Sequence, residues 1–231
     1  MMLGILAITA KDLRLVLTRS NALLQALLLG LLLIFLFSLS QGGTGYVTPD
    51  AAATIFWMAT AFCQTLIFNT LYSLEENNGQ RFGLLLAPIP SQAIWLGKAV
   101  AGLLLLLILQ LSFFIAAVIF LGQTPGGQWT TALLAMLLAD AGIAAAGSLL
   151  GAVAQEQASR ETLYSIVLFP LLLPLFLAGI RTLRLGFATD SLVDVTAWIG
   201  LIAAFDAIFL AAGLILFPYI YGATTHDREL P

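Results

Sequence analysis

The sequence carries very little charge, since Asp, Glu, Lys and Arg together make up 9% of its 231 residues. Soluble domains carry about 25% charged residues. With 61% hydrophobic residues, this composition argues against a water-soluble protein and places the chain in a bilayer. The net charge of −3 provides no basic surface for phosphates, which argues against nucleic acid as a partner.

Cysteine and histidine each occur once, which excludes sites that need two cysteines or two histidines from the same chain. Cys63 has no second cysteine with which to form an intrachain disulfide or a metal site, so we expect it to act as a small apolar side chain. His226 alone cannot supply bis-histidine ligation of haem. The phosphate loop G-x-x-x-x-G-K-[ST] is missing, because Gly97-Lys98 is followed by Ala99. We therefore expect no enzymatic activity in the chain itself, no metal site and no directly bound cofactor.

What the sequence has instead is six long apolar runs separated by short connections. Each run has about the 20 residues that a helix needs to cross about 30 Å of hydrocarbon. We predict an all-α integral membrane protein that forms one domain, residues 1–231, without a soluble part. The predicted spans are Ala22–Leu39, Ala51–Leu74, Ala99–Leu121, Thr131–Ala154, Leu163–Ile180 and Ala197–Tyr219.

Residues 1–21 precede the first span and are amphipathic. On a helix they present one apolar stripe, whereas Lys11, Arg14 and Thr18 lie away from it. We expect an interfacial helix that lies flat on the inner leaflet of the membrane. The stripe consists of Met2, Leu3, Leu6, Ala10, Leu13 and Leu17.

Lys and Arg are distributed unequally between the two sides of the membrane. Six spans place both termini on one side, and the positive-inside rule makes that side cytoplasmic, because most basic residues fall there. We therefore predict both termini in the cytoplasm. The basic residues on that side are Lys11, Arg14, Arg19, Arg81, Lys98, Arg160 and Arg228, and those on the other side are Arg181 and Arg184.

A long polar interruption, residues 75–98, separates spans 2 and 3 on the predicted cytoplasmic side. Its apolar run, residues 82–87, is too short to cross a bilayer, but it can lie in the interface or dock into the groove of a partner. We expect these residues to form an ordered contact loop for a protein in the cytoplasm. The candidate contact residues are Glu75, Glu76, Gly79, Arg81, Phe82, Leu84, Leu85, Pro88 and Pro90.

Two aspartates lie inside predicted spans, Asp140 in span 4 and Asp206 in span 6. Each is about 14 Å from the outer end of its span at 1.5 Å per residue. An ionised aspartate at the centre of a membrane helix costs about 2.5–3.5 kcal/mol, so both should face protein or a wet cavity. A proton site and a pair of structural acids are both compatible with them. Arg181, at the outer end of span 5, is a possible partner.

Span 5 contains two prolines four residues apart, Pro170 and Pro174. Each removes a backbone donor and clashes with the preceding turn, so we expect a bend or local unwinding on one face. Neighbouring helices or water must satisfy the freed carbonyls, which predicts that this region is packed in protein or lines a cavity. The element is either a hinge or a passive kink.

Several of these segments resemble the haem exporter protein B family. In the polar interruption the likeness rests on Asn78-Gly79, on the segment 84–90 (Leu-Leu-Leu-Ala-Pro-Ile-Pro) and on Leu96-Gly97-Lys98. In span 5 it rests on the Pro170-x-x-x-Pro174 element. Length and the number of spans agree as well, so the resemblance covers nearly the whole chain.

The resemblance implies an ABC-2-type permease fold and a role as the membrane subunit of an ABC-type complex in cytochrome c maturation. ATP would be hydrolysed by a separate cytoplasmic ATPase dimer that contacts residues 75–98. A haem-handling membrane protein of the same pathway would be a partner, and a haem chaperone would take part indirectly. The complex, rather than this subunit, would handle haem, in a bacterial cytoplasmic (inner) membrane.

Two other functions stay open on the sequence. An ABC-2-type permease for a lipid, a polysaccharide or a drug would share the cytoplasmic loop. A proton-coupled carrier would use Asp140 and Asp206 instead. Carriers often contain internal repeats, and the sequence shows none.

Overall fold

The computed structural model describes residues 1–41, 47–77, 84, 87–126, 128–154, 160–188 and 194–222. Within these residues the chain forms seven α-helices and no strand. The helices are α1 (Met2–Arg19), α2 (Ala22–Ser40), α3 (Pro49–Asn77), α4 (Ser91–Phe120), α5 (Trp129–Ala154), α6 (Arg160–Phe187) and α7 (Thr196–Gly222).

Helices α2 to α7 are the six that are long and apolar enough to cross a membrane. This confirms the prediction of an all-α integral membrane protein. Helix α1 precedes them, in the place expected for the interfacial helix.

The expected loop of residues 75–98 is wrong at both of its ends. Helix α3 extends to Asn77 and α4 begins at Ser91, so the connection comprises only residues 78–90. Lys98 lies in the third turn of α4 and is fully buried. The predicted boundary at residue 98 failed because a lysine lowers the mean hydropathy of a span. In the structure, the charge of Lys98 is paired with the Asp12 carboxylate of α1.

The fifth span is also longer than expected. Helix α6 continues from Ile180 to Phe187 and includes Arg181 and Arg184, which lie beyond the predicted span. Arg184 Nε lies 3.1 Å from Asp50 Oδ2 at the first turn of α3. Arg184 and Asp50 are both exposed at the ends of their helices, where a charged residue can be solvated and paired. Helix α6 can therefore continue beyond its apolar run.

Successive spanning helices run in opposite directions, so the bundle has two ends. The end where α3 leads into α4 is called the connection side below. At the opposite end, Ser38 Oγ donates to the carbonyl oxygen of Phe120 at 2.7 Å, which joins the last turns of α2 and α4. The Gly126 N–H donates to the Gly186 carbonyl oxygen at 2.6 Å there.

Two of the helix ends at that opposite end are set by local chemistry. Gly122 has a left-handed φ of 64°, which glycine adopts without strain and which ends α4, and the N–H of Gln123 reaches back to the carbonyl of Ala117 at 3.4 Å. At the start of α7, the N–H of Thr196 donates to Asp194 Oδ1 at 2.9 Å. Hydrogen bonds from the Thr196 side chain and backbone lower the pKa of Asp194 below its ordinary value.

Helix α5 occupies the centre of the bundle and contacts α3, α4, α6 and α7. Its buried face is built mostly of alanine and glycine. A Cβ on Gly147 would come within 2.6 Å of the Phe68 ring, and one on Gly151 within 2.6 Å of the Tyr72 ring. Gly147 and Gly151, four residues apart, therefore admit aromatic rings from α3, which brings the two helices close.

Candidate functional site

The predicted contact residues fall into three groups in the structure. Gly79, Arg81, Phe82 and Leu85 lie outside the described residues, and Glu75 and Glu76 belong to the last turn of α3 without a described side chain. Leu84 is half-buried and packs against the core. Pro88 and Pro90 are exposed, and Pro90 precedes the first residue of α4.

The end of the connection rests on helix α1. A Cβ on Gly4 would lie 3.2 Å from Ile89 Cγ2, so α1 passes directly beside Ile89. Two turns further along, Gly97 of α4 lies so close to α1 that a Cβ there would be 2.7 Å from Cβ of Ile8. Thr9 Oγ1 lies 3.0 Å from the Gly97 carbonyl oxygen and donates to it. Helix α1 thus packs along the start of α4, and glycines at Gly4 and Gly97 allow the two backbones to approach closely.

A buried ion pair lies in this contact. Lys98 Nζ is 3.4 Å from Asp12 Oδ2, and the two side chains are 0% and 2% exposed. Lys98 also donates to the Leu71 carbonyl oxygen of α3 at 3.2 Å and lies 4.6 Å from the centre of the Tyr72 ring. A single ammonium group therefore contacts α1 and α3 from its position on α4. Lys11 Nζ lies 2.8 Å from Asp12 Oδ1 as well, so removing Lys98 would leave the buried carboxylate with the partly exposed Lys11, and breaking a buried pair in this way is costly.

The polar contacts continue from Tyr72 into α5. The Tyr72 hydroxyl donates to the Ser148 carbonyl oxygen at 2.6 Å. Ser148 Oγ in turn donates to the Trp95 carbonyl oxygen of α4 at 3.3 Å. Four helices, α1, α3, α4 and α5, are thus joined below the connection by one set of buried polar contacts, which we call the Lys98 network (Asp12, Leu71, Tyr72, Trp95, Lys98 and Ser148).

Asp12 is a residue that the sequence reasoning missed. The predicted stripe of α1 is mostly on the outside, with Leu3 84% exposed, whereas the buried face of α1 consists of Ile8, Thr9, Asp12 and Val16. These residues recur at helical spacing, so a second stripe with an acidic residue in its middle was readable in the sequence. An acid on a buried face needs a cation, and Lys98 supplies a buried one beside the adjacent Lys11.

The two intramembrane aspartates are both buried inside the bundle. Asp140 Oδ1 accepts a hydrogen bond of 2.8 Å from Gln110 Nε2 of α4. Among the described residues, Asp140 Oδ2 and Gln110 Oε1 have no hydrogen-bond partner. The two aspartate side chains face protein rather than lipid, because Asp140 is 0% exposed and Asp206 is 6% exposed.

The structure does not bring Asp140 and Asp206 together as one site. Asp206 Oδ1 lies against Gly142 of α5, where a Cβ would collide with it. Asp140 and Gly142 are two residues apart, about 200° around a helix, so Asp140 faces α4 whereas Gly142 faces α7. Arg181, the partner considered for them, is exposed on the outside of α6.

The proline element differs from its prediction in two respects. Helix α6 is α-helical without interruption from Arg160 to Phe187, with Pro170 and Pro174 inside it. Both prolines are exposed on the outside of the bundle, whereas Leu168, Leu172 and Leu175 on the other face are buried. The prolines themselves are therefore not packed in protein, because the leucines of α6 take the buried positions. Local unwinding is not observed.

Comparison with known proteins gives one clear result. The model of a protein family described as CcmB protein matches residues 3–225 of the chain. No curated protein matches the sequence.

Proposed function

This chain belongs to the CcmB protein family, and we propose that it couples ATP hydrolysis by a separate subunit to events at the outer face of the membrane. The family identifies the chain as a membrane component of a haem exporter for cytochrome c maturation. Such a component is a permease subunit and not itself a catalytic enzyme.

The observation that carries the coupling proposal is the buried Lys98–Asp12 pair. It lies two turns of α4 below the connection, and through the Lys98 network it joins the helices on both sides of that connection. A displacement applied to residues 78–90 would move α1 and the start of α4 together. The same displacement would reach α3 through Leu71 and α5 through Ser148. These contacts support transmission of a push into the membrane domain as one unit.

The proposed partner at the connection is a cytoplasmic ABC ATPase dimer, which binds and hydrolyses ATP. Its contact surface comprises the residues predicted for it in the sequence, now limited to the end of α3 and the connection 78–90. This proposal needs the connection side to face the cytoplasm, as the distribution of Lys and Arg predicts. Pro88 and Pro90 are exposed there and accessible to a partner.

The further partners proposed for the complex are a haem-handling membrane protein and, indirectly, a haem chaperone. Haem is then handled by the complex, and this subunit needs no haem ligand of its own. Asp140, Asp206, Pro170 and Pro174 have no part in the contact with the ATPase. The bacterial cytoplasmic membrane is the proposed location.

Substituting Leu85→Asp tests the contact with the ATPase. A carboxylate placed in a desolvated groove of the partner would be unpaired, so the ATPase should no longer co-purify with the membrane subunit. The matched control is Ser40→Asp, which introduces the same charge at an exposed position on the opposite end of the bundle. Normal co-purification of the ATPase with Leu85→Asp would contradict the proposed surface.

A further inference from the structure

Asp206 is a buried carboxyl group that the proposed coupling path does not use. It lies ten residues after Thr196, the first residue of α7, and therefore about 15 Å into the membrane domain at 1.5 Å per residue. Its side chain is 6% exposed. Within the described part of the chain, neither carboxyl oxygen has a hydrogen-bond partner.

The surroundings of Asp206 are built to admit this carboxyl group. Oδ1 occupies the place that a Cβ on Gly142 would take, and Leu175 Cδ2 of α6 lies 3.2 Å from the same point. The carboxyl group therefore lies where α5, α6 and α7 meet, beside a glycine and a leucine. Such surroundings provide no donor for a carboxylate, so the ionised form would be far costlier here than the acid.

Charged groups of the neighbouring helices do not offset this cost. Among the described side chains, Asp140 on α5 is turned toward Gln110, and Lys98 on α4 contacts Asp12 near the connection side. On α6, Arg181 is exposed and Arg184 pairs with Asp50. No described cation faces Asp206.

We propose that the Asp206 carboxyl group, seated against Gly142, is a proton-binding site inside the membrane domain, occupied by a proton in this conformation. Asparagine or leucine would fill the position without an ionisable group, so the carboxyl's distinct property is its exchangeable proton. Because the ionised form is not stabilised in the α5–α7 contact, release of the proton favours separation of α7 from Gly142. The site thus links proton exchange to the position of α7.

The test uses dicyclohexylcarbodiimide, a membrane-soluble reagent, on the full chain in lipid nanodiscs. The carboxyl oxygen adds to the central carbon of the reagent while the acid proton moves to a nitrogen, and rearrangement gives a stable N-acylurea. The modified residue therefore gains the mass of one whole reagent molecule, and peptide mass spectrometry identifies it. Only the protonated acid reacts in this way.

Asp206 should be labelled at mildly acidic pH, and labelling should fall about tenfold per unit of pH once the carboxyl group ionises. Gly142→Ala should lower the labelling several-fold, because the new methyl group displaces the carboxyl oxygen from its seat. Gly200→Ala on α7 is the matched control, since nothing lies within 4 Å of a Cβ there. Asp206→Asn should remove the label from this peptide.

Two outcomes would overturn the proposal. One is an unlabelled Asp206 in the wild-type chain at mildly acidic pH. The other is labelling that stays constant to strongly alkaline pH, which would make Asp206 a permanently protonated structural acid. Both readings come from the wild-type protein, so they do not depend on the folding of a variant. Neither depends on the ATPase, so this proposal and the proposed coupling function can fail separately.

Discussion

At the scale of single residues, the most consequential feature is a lysine that is fully buried. Lys98 keeps its charge partner in Asp12, a carbonyl acceptor in Leu71 and an aromatic face in Tyr72. Burying a charge is tolerated only with such compensation. The residue therefore fixes which face of α1 lies against α4, and with it the support beneath the connection.

Lys98→Met should lower the free energy of unfolding by about 3 kcal/mol, because the buried Asp12 loses its fully buried counterion and keeps the partly exposed Lys11. The loss should fall at the low end of the range for buried pairs, since Lys11 Nζ remains 2.8 Å from Asp12 Oδ1. Adding Asp12→Leu to the Lys98→Met variant should recover most of the lost free energy of unfolding. The matched control Lys11→Met removes a more exposed partner and should cost less than about 1 kcal/mol. Denaturant unfolding in detergent measures the wild type and all three variants, and equal losses for Lys98→Met and Lys11→Met would contradict this account.

At the scale of the elements, helices meet where one of them has a small residue. Gly142 admits the Asp206 carboxyl group, Gly147 the Phe68 ring and Gly179 the Trp57 indole. In a bilayer the approach of helices gains little from the hydrophobic effect, so close packing and polar contacts must hold them. Helix α6 follows the same rule on its buried face and directs its two prolines outward.

Changing both Pro170→Leu and Pro174→Leu should leave the protein folded, because both rings face outward and leucine meets no packed neighbour there. Two backbone donors are restored, which stiffens α6. If α6 flexes during the cycle, ATPase activity of the complex should continue while release of the haem chaperone is lost. Release and ATP hydrolysis are measured together on the reconstituted complex.

The control for this variant is Leu173→Ala with Leu177→Ala, which alters two outward positions of α6 without changing its backbone donors. It should keep both activities. Full release activity in the double-leucine variant would show that the two prolines are passive.

At the scale of the whole molecule, each end of the bundle has its own set of polar contacts. The connection side holds the Lys98 network and the exposed prolines of the connection. The opposite end holds the Arg184–Asp50 pair and Gln123, whose Nε2 donates to the Val47 carbonyl oxygen at 2.7 Å. The proposed mechanism requires that the first of these ends faces the ATPase.

Cysteine accessibility tests that orientation. Cys63 is buried, with Sγ 3.0 Å from the Ala26 carbonyl oxygen, so Cys63→Ala provides a background free of cysteine. In that background Pro88→Cys should react with a membrane-impermeant maleimide only in inverted vesicles. Ser40→Cys, at the other end, should react only in right-side-out vesicles. The reverse pattern would place the connection outside the cytoplasm and remove the proposed ATPase contact.

The sequence by itself determined the number of spans, the fold class and the family. These depend on hydropathy summed over about 20 neighbouring residues and on local motifs such as the segment 84–90, so no distant contact is needed to read them. It also placed Asp140 and Asp206 within the membrane, because depth along a helix follows from counting residues.

Only the tertiary structure decided which side chains meet. Asp12 and Lys98 are 86 positions apart, and they pair because α1 packs closely against α4 at Gly97. Asp140 and Asp206 lie at similar depths but do not meet, because Asp140 on α5 faces α4 whereas Asp206 on α7 lies against Gly142, on another side of α5. A hydropathy window counts Lys98 and Arg184 as charges in a loop, whereas partners supplied by other helices keep both inside a helix. Pairing of this kind depends on the packing of the whole bundle, which a local pattern does not contain.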